Sequence, residues 1–237
     1  MSIPEPQQPA STEGASQGPD RPVKIALVLY PRFTGLDIIG PFQVLAGVPG
    51  HDTVFVAADA GPVIDGTGRC PLTTTATLAE LTAPDVVVIG GSLSEEDPDE
   101  QWCNGCARST PPLPGRPRVH RFDLPGRRRD PGRAKASTHW ARAEQLGRRR
   151  ARYTEQRVAE RGKVITAAGV PVGIDMALTL LARIHGPQLA QMVQLAVEYD
   201  PCPPLDGGSP SKAPAQMAGL RAIIAHRAAV PAPPGGL

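Results

Sequence analysis

The sequence predicts an α/β sandwich built on a mostly parallel sheet, and three observations carry that expectation. Four short apolar runs, 23–30, 53–58, 85–89 and 163–168, have the length and continuity of strands buried on both faces. Between and after them lie segments whose apolar residues recur at helical spacing, and strands alternating with helices build α/β sheets. The chain is also large enough: 237 residues with 41% hydrophobic content supply one substantial core.

The elements follow in order. Val23–Tyr30 (VKIALVLY) is the first strand, and Pro31 ends it. Phe33–Leu45 (FTGLDIIGPFQVL) reads as a loop leading into a helix, and Thr53–Ala58 as the second strand. Turn residues over Gly61–Leu72 predict a small hairpin. Thr77–Leu81 reads as a short helical turn, and Pro84 precedes the third strand, Asp85–Ile89, with Gly90, Gly91 and Ser92 at its C-terminal end. Further on, Lys163–Ala168 is another strand. Val172–Ile184, Pro187–Tyr199 and Ala213–Ala229 are three helices. Ligands of such folds sit beyond the C-terminal ends of strands, where Asp37 and the Gly90–Gly91 turn both fall.

Composition excludes several classes. No apolar run approaches the ~20 residues of a membrane span, so no membrane partner is expected. Residues 1–22 are polar and Pro-rich, without the apolar core of a secretory signal, and read as a disordered tail. A single domain then covers residues 23–229. Four cysteines without a regular framework fit a reducing cytoplasm. A net charge of +2 gives no general reason to expect a nucleic-acid partner.

One stretch breaks this uniformity. Residues 116–152 hold 13 of the 25 Lys and Arg, and four prolines fall within 111–117. Arginine clusters can bind phosphates, but no recognition motif or aromatic platform accompanies this one. Cys103-x-x-Cys106 has the spacing of half a zinc site or of a redox pair, yet His120 and His139 complete no ligand pattern, so no metal or other cofactor is expected.

Five segments resemble the ThiJ/PfpI family of the class I glutamine-amidotransferase-like superfamily, in its isonitrile-hydratase branch. They are Phe33-Thr-Gly-Leu-Asp37-Ile-Ile-Gly-Pro-Phe42, Asp85-Val-Val-Val-Ile-Gly-Gly91, Ser137-Thr-His-Trp140, Ala168-Gly-Val-Pro-Val-Gly-Ile-Asp-Met-Ala-Leu178, and Glu198-Tyr-Asp-Pro201 with Pro203-Pro204. They stand in the family's order. The resemblance implies a flavodoxin-like three-layer sandwich, a small-molecule substrate, a homodimer, and hydration of an isonitrile by a cysteine nucleophile. That cysteine is expected on a tight strand-to-helix turn, where the helix dipole favours thiolate. No such turn is present between Ser92 and Ser137.

The genetic code offers a reason. Arg118–Asp123 can be written CGT GTG CAC CGG TTC GAT. Read one base later, running into the C of Leu124, it gives Val-Cys-Thr-Gly-Ser-Ile, placing the missing cysteine at Val119–His120. Continued through Arg133, that frame allows an Ala/Gly/Leu-rich helix, though Leu124 does not give the leucine the family pattern calls for. Gln101–Thr110, read two bases later, allows Val-Val-Gln-Arg-Leu-Arg-Ala-Val-His, with the spacing of an amphipathic helix. Residues 101–134 are therefore expected to be out of frame and to disrupt the sheet; Arg148–Arg150 reads as a shorter slip.

Each candidate residue has two readings. Asp37 is a helix cap or, as the resemblance implies, an acid beside the nucleophile that protonates the substrate. Gly90 and Gly91, with Ser92, are a plain turn or a source of N–H donors for a developing anion. His139 with Trp140 is a half-buried pair or part of the cleft lining, and Asp175 a cap or ion-pair partner or else a catalyst. Cys70 reads as a small buried residue and Cys202 as a surface thiol. Beside a hydratase inactive for want of its nucleophile stand a non-catalytic interaction protein and a ligand-binding domain related to AraC-type regulators. The last requires a DNA-binding domain, for which the chain leaves no room.

Overall fold

The computed structural model describes residues 21–92, 134–148, 151–213, 215 and 219–224. Residues 101–133, with Cys103, Cys106, Val119 and His120, lie outside the described residues, as do residues 1–20 and 149–150.

The core is a parallel sheet of β1 (Val23–Val28), β2 (His51–Ala57), β5 (Ala76–Thr77) and β6 (Val86–Ile89), in the order β5-β2-β1-β6. β1 pairs with β2 on one side, Val23 opposite His51, and with β6 on the other, Ile25 opposite Val86. Five of the six β1 residues and all four of β6 are buried, the pattern of strands covered on both faces. Each fully buried Val, Leu or Ile contributes ~1.5–3 kcal/mol of transfer free energy, so these two strands dominate the core. At the base of the sheet the Asp85 carboxylate accepts two bonds of 2.8 Å from the Arg21 guanidinium and one of 3.0 Å from the Lys24 N–H. Arg21, read as the end of a loose tail, thus ties the chain down before β1.

Helix α1 (Gly35–Leu45) links β1 to β2. Its N-cap Thr34 is extended and makes no side-chain capping bond, and Pro41 lies inside it. A proline there removes one backbone bond, and the ring serves packing instead. α1 lies against α3 (Val172–His185) through two glycines. A Cβ on Gly40 would stand 3.0 Å from Ile174 Cγ1, and one on Gly173 3.2 Å from Pro41 Cγ and Cδ. α3 stops at Gly186, whose φ of +91° suits glycine, and Pro187 opens α4 (Pro187–Ala196).

Several expected elements differ. The hairpin forms as β3 (Gly61–Ile64) against β4 (Pro71–Thr74). Thr77–Leu81 is the end of β5 and a turn rather than helix; Glu80 accepts from the Thr77 N–H and hydroxyl while its own N–H donates to Thr77 Oγ1, the bonding of a helix start without the helix. Among the described residues the 163–168 run pairs outside the parallel sheet. As β10 (Val164–Ala167) it pairs antiparallel with β9 (Val158–Arg161) across Gly162, whose φ is +54°. Periodicity shows a buried strand but not its partner.

Two strands the sequence reading missed, β7 (Ala134–Ala136) and β8 (Ala151–Tyr153), pair in parallel. The six-residue α2 (Ala143–Arg148) packs beside them, and Ala136, Leu146 and Ala151 form a small separate cluster with Tyr153 against it. α4 ends at Ala196, short of Tyr199, and of the third expected helix residues 219–224 are helical.

Candidate active site

β1 is the strand at which the connections reverse direction: one crossover leads to β2, and β6 lies on the opposite side. Such switch points open a crevice at the C-terminal ends of the strands. Tyr30–Thr34 leaves β1 there, and Gly90–Ser92 leaves β6.

The two segments are stitched together. The Thr34 N–H donates to Gly91 O at 2.8 Å, the Ser92 hydroxyl to Arg32 O at 2.9 Å, and Phe33 forms an antiparallel bridge with Ser92. Arg32 has φ +68°, an uncommon conformation for a residue with a side chain. The hairpin braces it, for the Arg32 N–H donates to Ile64 O at 3.1 Å and the Gly66 N–H to Phe33 O at 2.8 Å.

Asp37 lies in the first turn of α1 and is 1% exposed. Its Oδ2 accepts the Gly91 N–H at 2.9 Å. That bond runs to another segment, whereas the N-cap position belongs to Thr34. The Gly91 N–H is thus directed at Asp37. Gly90 permits this approach, since a Cβ there would stand 3.1 Å from both Asp37 Cβ and Ile38 Cδ1. Gly91 and Ser92 are half-buried, so the cluster reaches the surface at its outer edge.

Structure thus brings Asp37, Gly90, Gly91 and Ser92 together. His139 sits on another segment. It precedes a short 3-10 turn, its Nδ1 accepts the Ala141 N–H at 3.3 Å, and its ring tilts against Trp140 with centroids 5.4 Å apart. Trp140 in turn carries the Arg221 guanidinium 5.1 Å above its ring. Before it, the buried Ser137 is fixed by its N–H to Thr166 Oγ1 and its hydroxyl to Gln156 O. Asp175 pairs with Arg157 at 2.5 Å. Tyr199, in the Glu198–Pro201 motif, lies beside them; burial, then its hydrogen bond to Asp175, pushes the phenol's pKa up.

Two functional-looking residues escaped the sequence reading. In the sequence Tyr30 is simply the last residue of an apolar strand, yet its hydroxyl donates to Gly90 O at 2.8 Å in the interior. A tyrosine at the C-terminal end of a central parallel strand was the available signal. Asp65 organises the hairpin tip. Burial pushes its pKa up, but bonds from the Thr67 hydroxyl and the N–H groups of Cys70, Arg69 and Thr67 outweigh burial and hold it below the usual range. Cys70 is half-buried and Cys202 exposed, both as free thiols. Among the described residues no group of three or more His, Cys, Asp or Glu side chains could hold a metal, and no helix is long and apolar enough to cross a membrane.

The parallel sheet, with a buried carboxylate and a glycine turn at its switch point, has the flavodoxin-like architecture of solved ThiJ/PfpI and DJ-1 proteins. A ThiJ/PfpI family protein from Pseudomonas syringae superposes with a TM-score of 0.76 over 94% of both chains at 24% identity. A DJ-1 superfamily protein from Salmonella typhimurium gives 0.61 over 75% of this chain and 98% of its own at 19% identity. An AraC family transcriptional regulator from Pseudomonas putida gives 0.60 over 74% of this chain and all of its own at 18% identity. These likenesses establish the fold. No protein-family model matches the chain. Sequence carries the relationship further: over 204 residues, 82% of this chain and 86% of the relative, it is 33% identical to isonitrile hydratase from Pseudomonas putida. The chain belongs to the ThiJ/PfpI family, as a homologue of isonitrile hydratase.

Proposed function

We propose that the chain is the scaffold of a cysteine-dependent isonitrile hydratase whose nucleophile has been lost from residues 101–134 by out-of-frame translation. The supporting observation is the buried Asp37 carboxylate against the Gly90–Gly91 turn, at the switch point of a homologue of an isonitrile hydratase. In the intact reaction a thiolate attacks the terminal isonitrile carbon and Asp37 supplies the proton that this carbon takes up, leaving an S-bound thioimidate. Water adds to the same carbon, one of its protons going to the nitrogen and the other back to Asp37, and the C–S bond breaks. The product is the N-substituted formamide, no electrons are exchanged, and the thiolate returns. Asp37 would act from a fixed position, its Oδ2 anchored by the Gly91 N–H. Ser92 and His139 are proposed to line the cleft. The substrate is a small molecule, no cofactor takes part, the protein is a cytoplasmic homodimer, and nucleic acid and membranes are not partners.

The chain as written should not turn over isonitriles, and its sheet should be weakened, since Arg and Pro stand where a core strand is needed. The test compares this chain with one expressed from a gene whose reading frame is restored across codons 101–134, following formamide by mass spectrometry. Turnover is expected only from the restored chain. Replacing Asp37 by Asn there should lower it by ~10²–10⁴-fold, the range of a general acid. Turnover by the chain as written, with a cooperative melt, would overturn the proposal. A non-catalytic small-molecule-binding role is the second reading, favoured by the fold shared with an AraC family regulator. Saturable, thiol-independent ligand binding by the chain as written would support it.

A further inference from the structure

The two bonds that meet at the Gly90–Gly91 turn belong to one peptide unit. Its oxygen, Gly90 O, accepts from the Tyr30 hydroxyl at 2.8 Å; its N–H, on Gly91, donates to Asp37 Oδ2 at 2.9 Å. The sequence of bonds is therefore Tyr30 O–H to O=C–N–H to carboxylate, running through a conjugated amide. We infer that Tyr30 is a positioning residue for Asp37: its hydroxyl fixes the plane of this peptide so that the Gly91 N–H points at the carboxylate and not into the cleft.

Three features favour this over ordinary strand-end packing. A peptide flip would break both bonds at once, because donor and acceptor lie at opposite ends of the same plane. The peptides around it are held independently, by the Thr34 N–H on Gly91 O and the Ser92 hydroxyl on Arg32 O, so the clamped unit is the only one whose orientation depends on Tyr30 among these bonds. And the missing Cβ at Gly90 leaves that peptide pressed against the first turn of α1. An amide whose oxygen accepts a hydrogen bond is polarised into a stronger N–H donor. Tyr30 thereby reaches Asp37 without touching it.

The inference rests on the reading of Asp37 as the acid, and its test needs no catalysis. Amide exchange is followed by NMR in the full chain and in Tyr30→Phe. The expected result is ~10-fold faster exchange at Gly91, the equivalent of about 1.4 kcal/mol, with the β1–β6 ladder amide of Val87 unchanged. Uniform loss of protection, or none at Gly91, would overturn it. In case Tyr30→Phe does not fold, fluorinated tyrosines at position 30 keep the hydroxyl and nearly the volume while making it progressively more acidic. The Gly91 amide proton should then move downfield in step, and a static resonance would equally overturn the inference. If the clamp is found but the frame-restored chain has no hydratase activity, the functional reading fails alone. In an active restored chain, Tyr30→Phe should lower kcat and leave KM unchanged.

Discussion

Adding one methyl group at Gly90 tests the contact on which the site depends. The new Cβ would meet Asp37 Cβ, Ile38 Cδ1 and Ile38 Cγ1, each at 3.1 Å. Ile38 can turn its outer carbons away, but Asp37 Cβ is fixed to the backbone of α1, so helix and strand must separate by a few tenths of an ångström. Overpacking of this kind costs ~1–3 kcal/mol. Against it stands the gain from replacing glycine in the unfolded chain, ~0.4–1 kcal/mol. The net expectation for Gly90→Ala is a loss of about 1–2 kcal/mol, equivalent to a fall of ~2–8 °C in Tm for a chain of this size. Urea denaturation followed by circular dichroism measures it as a lower midpoint at unchanged slope. Gly47→Ala is the internal control, because a Cβ there meets nothing within 4 Å; it should be neutral or slightly stabilising. Equal behaviour of the two variants would refute the packing argument, and with it the claim that β6 abuts the first turn of α1.

Other expectations follow from the same contacts. Leu27→Ala, in the middle of β1 and fully buried, should cost ~2–5 kcal/mol in the same denaturation assay. Breaking the Arg157–Asp175 pair by Arg157→Gln should cost no more than ~1 kcal/mol, because Arg157 is 62% exposed and solvent screens the pair. His51 gives the fold a pH dependence. Its Nδ1 faces Leu45 O at 2.8 Å and so carries the proton, while its Nε2 lies 2.8 Å from His185 Nε2. Burial first, and His185 as well, push the pKa of His51 below its usual 6.5, against the opposing effect of Leu45 O. The unfolded chain therefore binds the proton more readily. The stability from His51 is full above about pH 6.5 and is lost as pH falls through the folded value. Melting curves between pH 5 and 8 should show that slope, and His51→Gln should flatten it; an unchanged slope would remove His51 as the cause.

Strand and helix identities were legible wherever burial alone dictates the residue pattern. The run VKIALV reads as a strand covered on both faces and GIDMALTLLARI as a helix with one apolar side, and both form. The family followed from motif order, and the 33% identical relative agrees with it. Asp37 and Gly90–Gly91 could be singled out because turn and carboxylate fall beyond strand ends. Pairing, by contrast, is a choice among partners distant in sequence. That Val164–Ala167 folds back on Val158–Arg161, and that Ala134–Ala136 lies beside Ala151–Tyr153, is fixed by which backbone groups meet once the core has formed. The same holds at the site. The sequence by itself placed an acid and a glycine turn beyond the C-terminal ends of strands. Only the tertiary structure decided that the Gly91 N–H faces that acid, and that Tyr30, 60 residues from Gly90 along the chain, holds the peptide between them. Hydrogen-bond direction depends on the orientation of single peptide planes, and residue type does not encode that orientation.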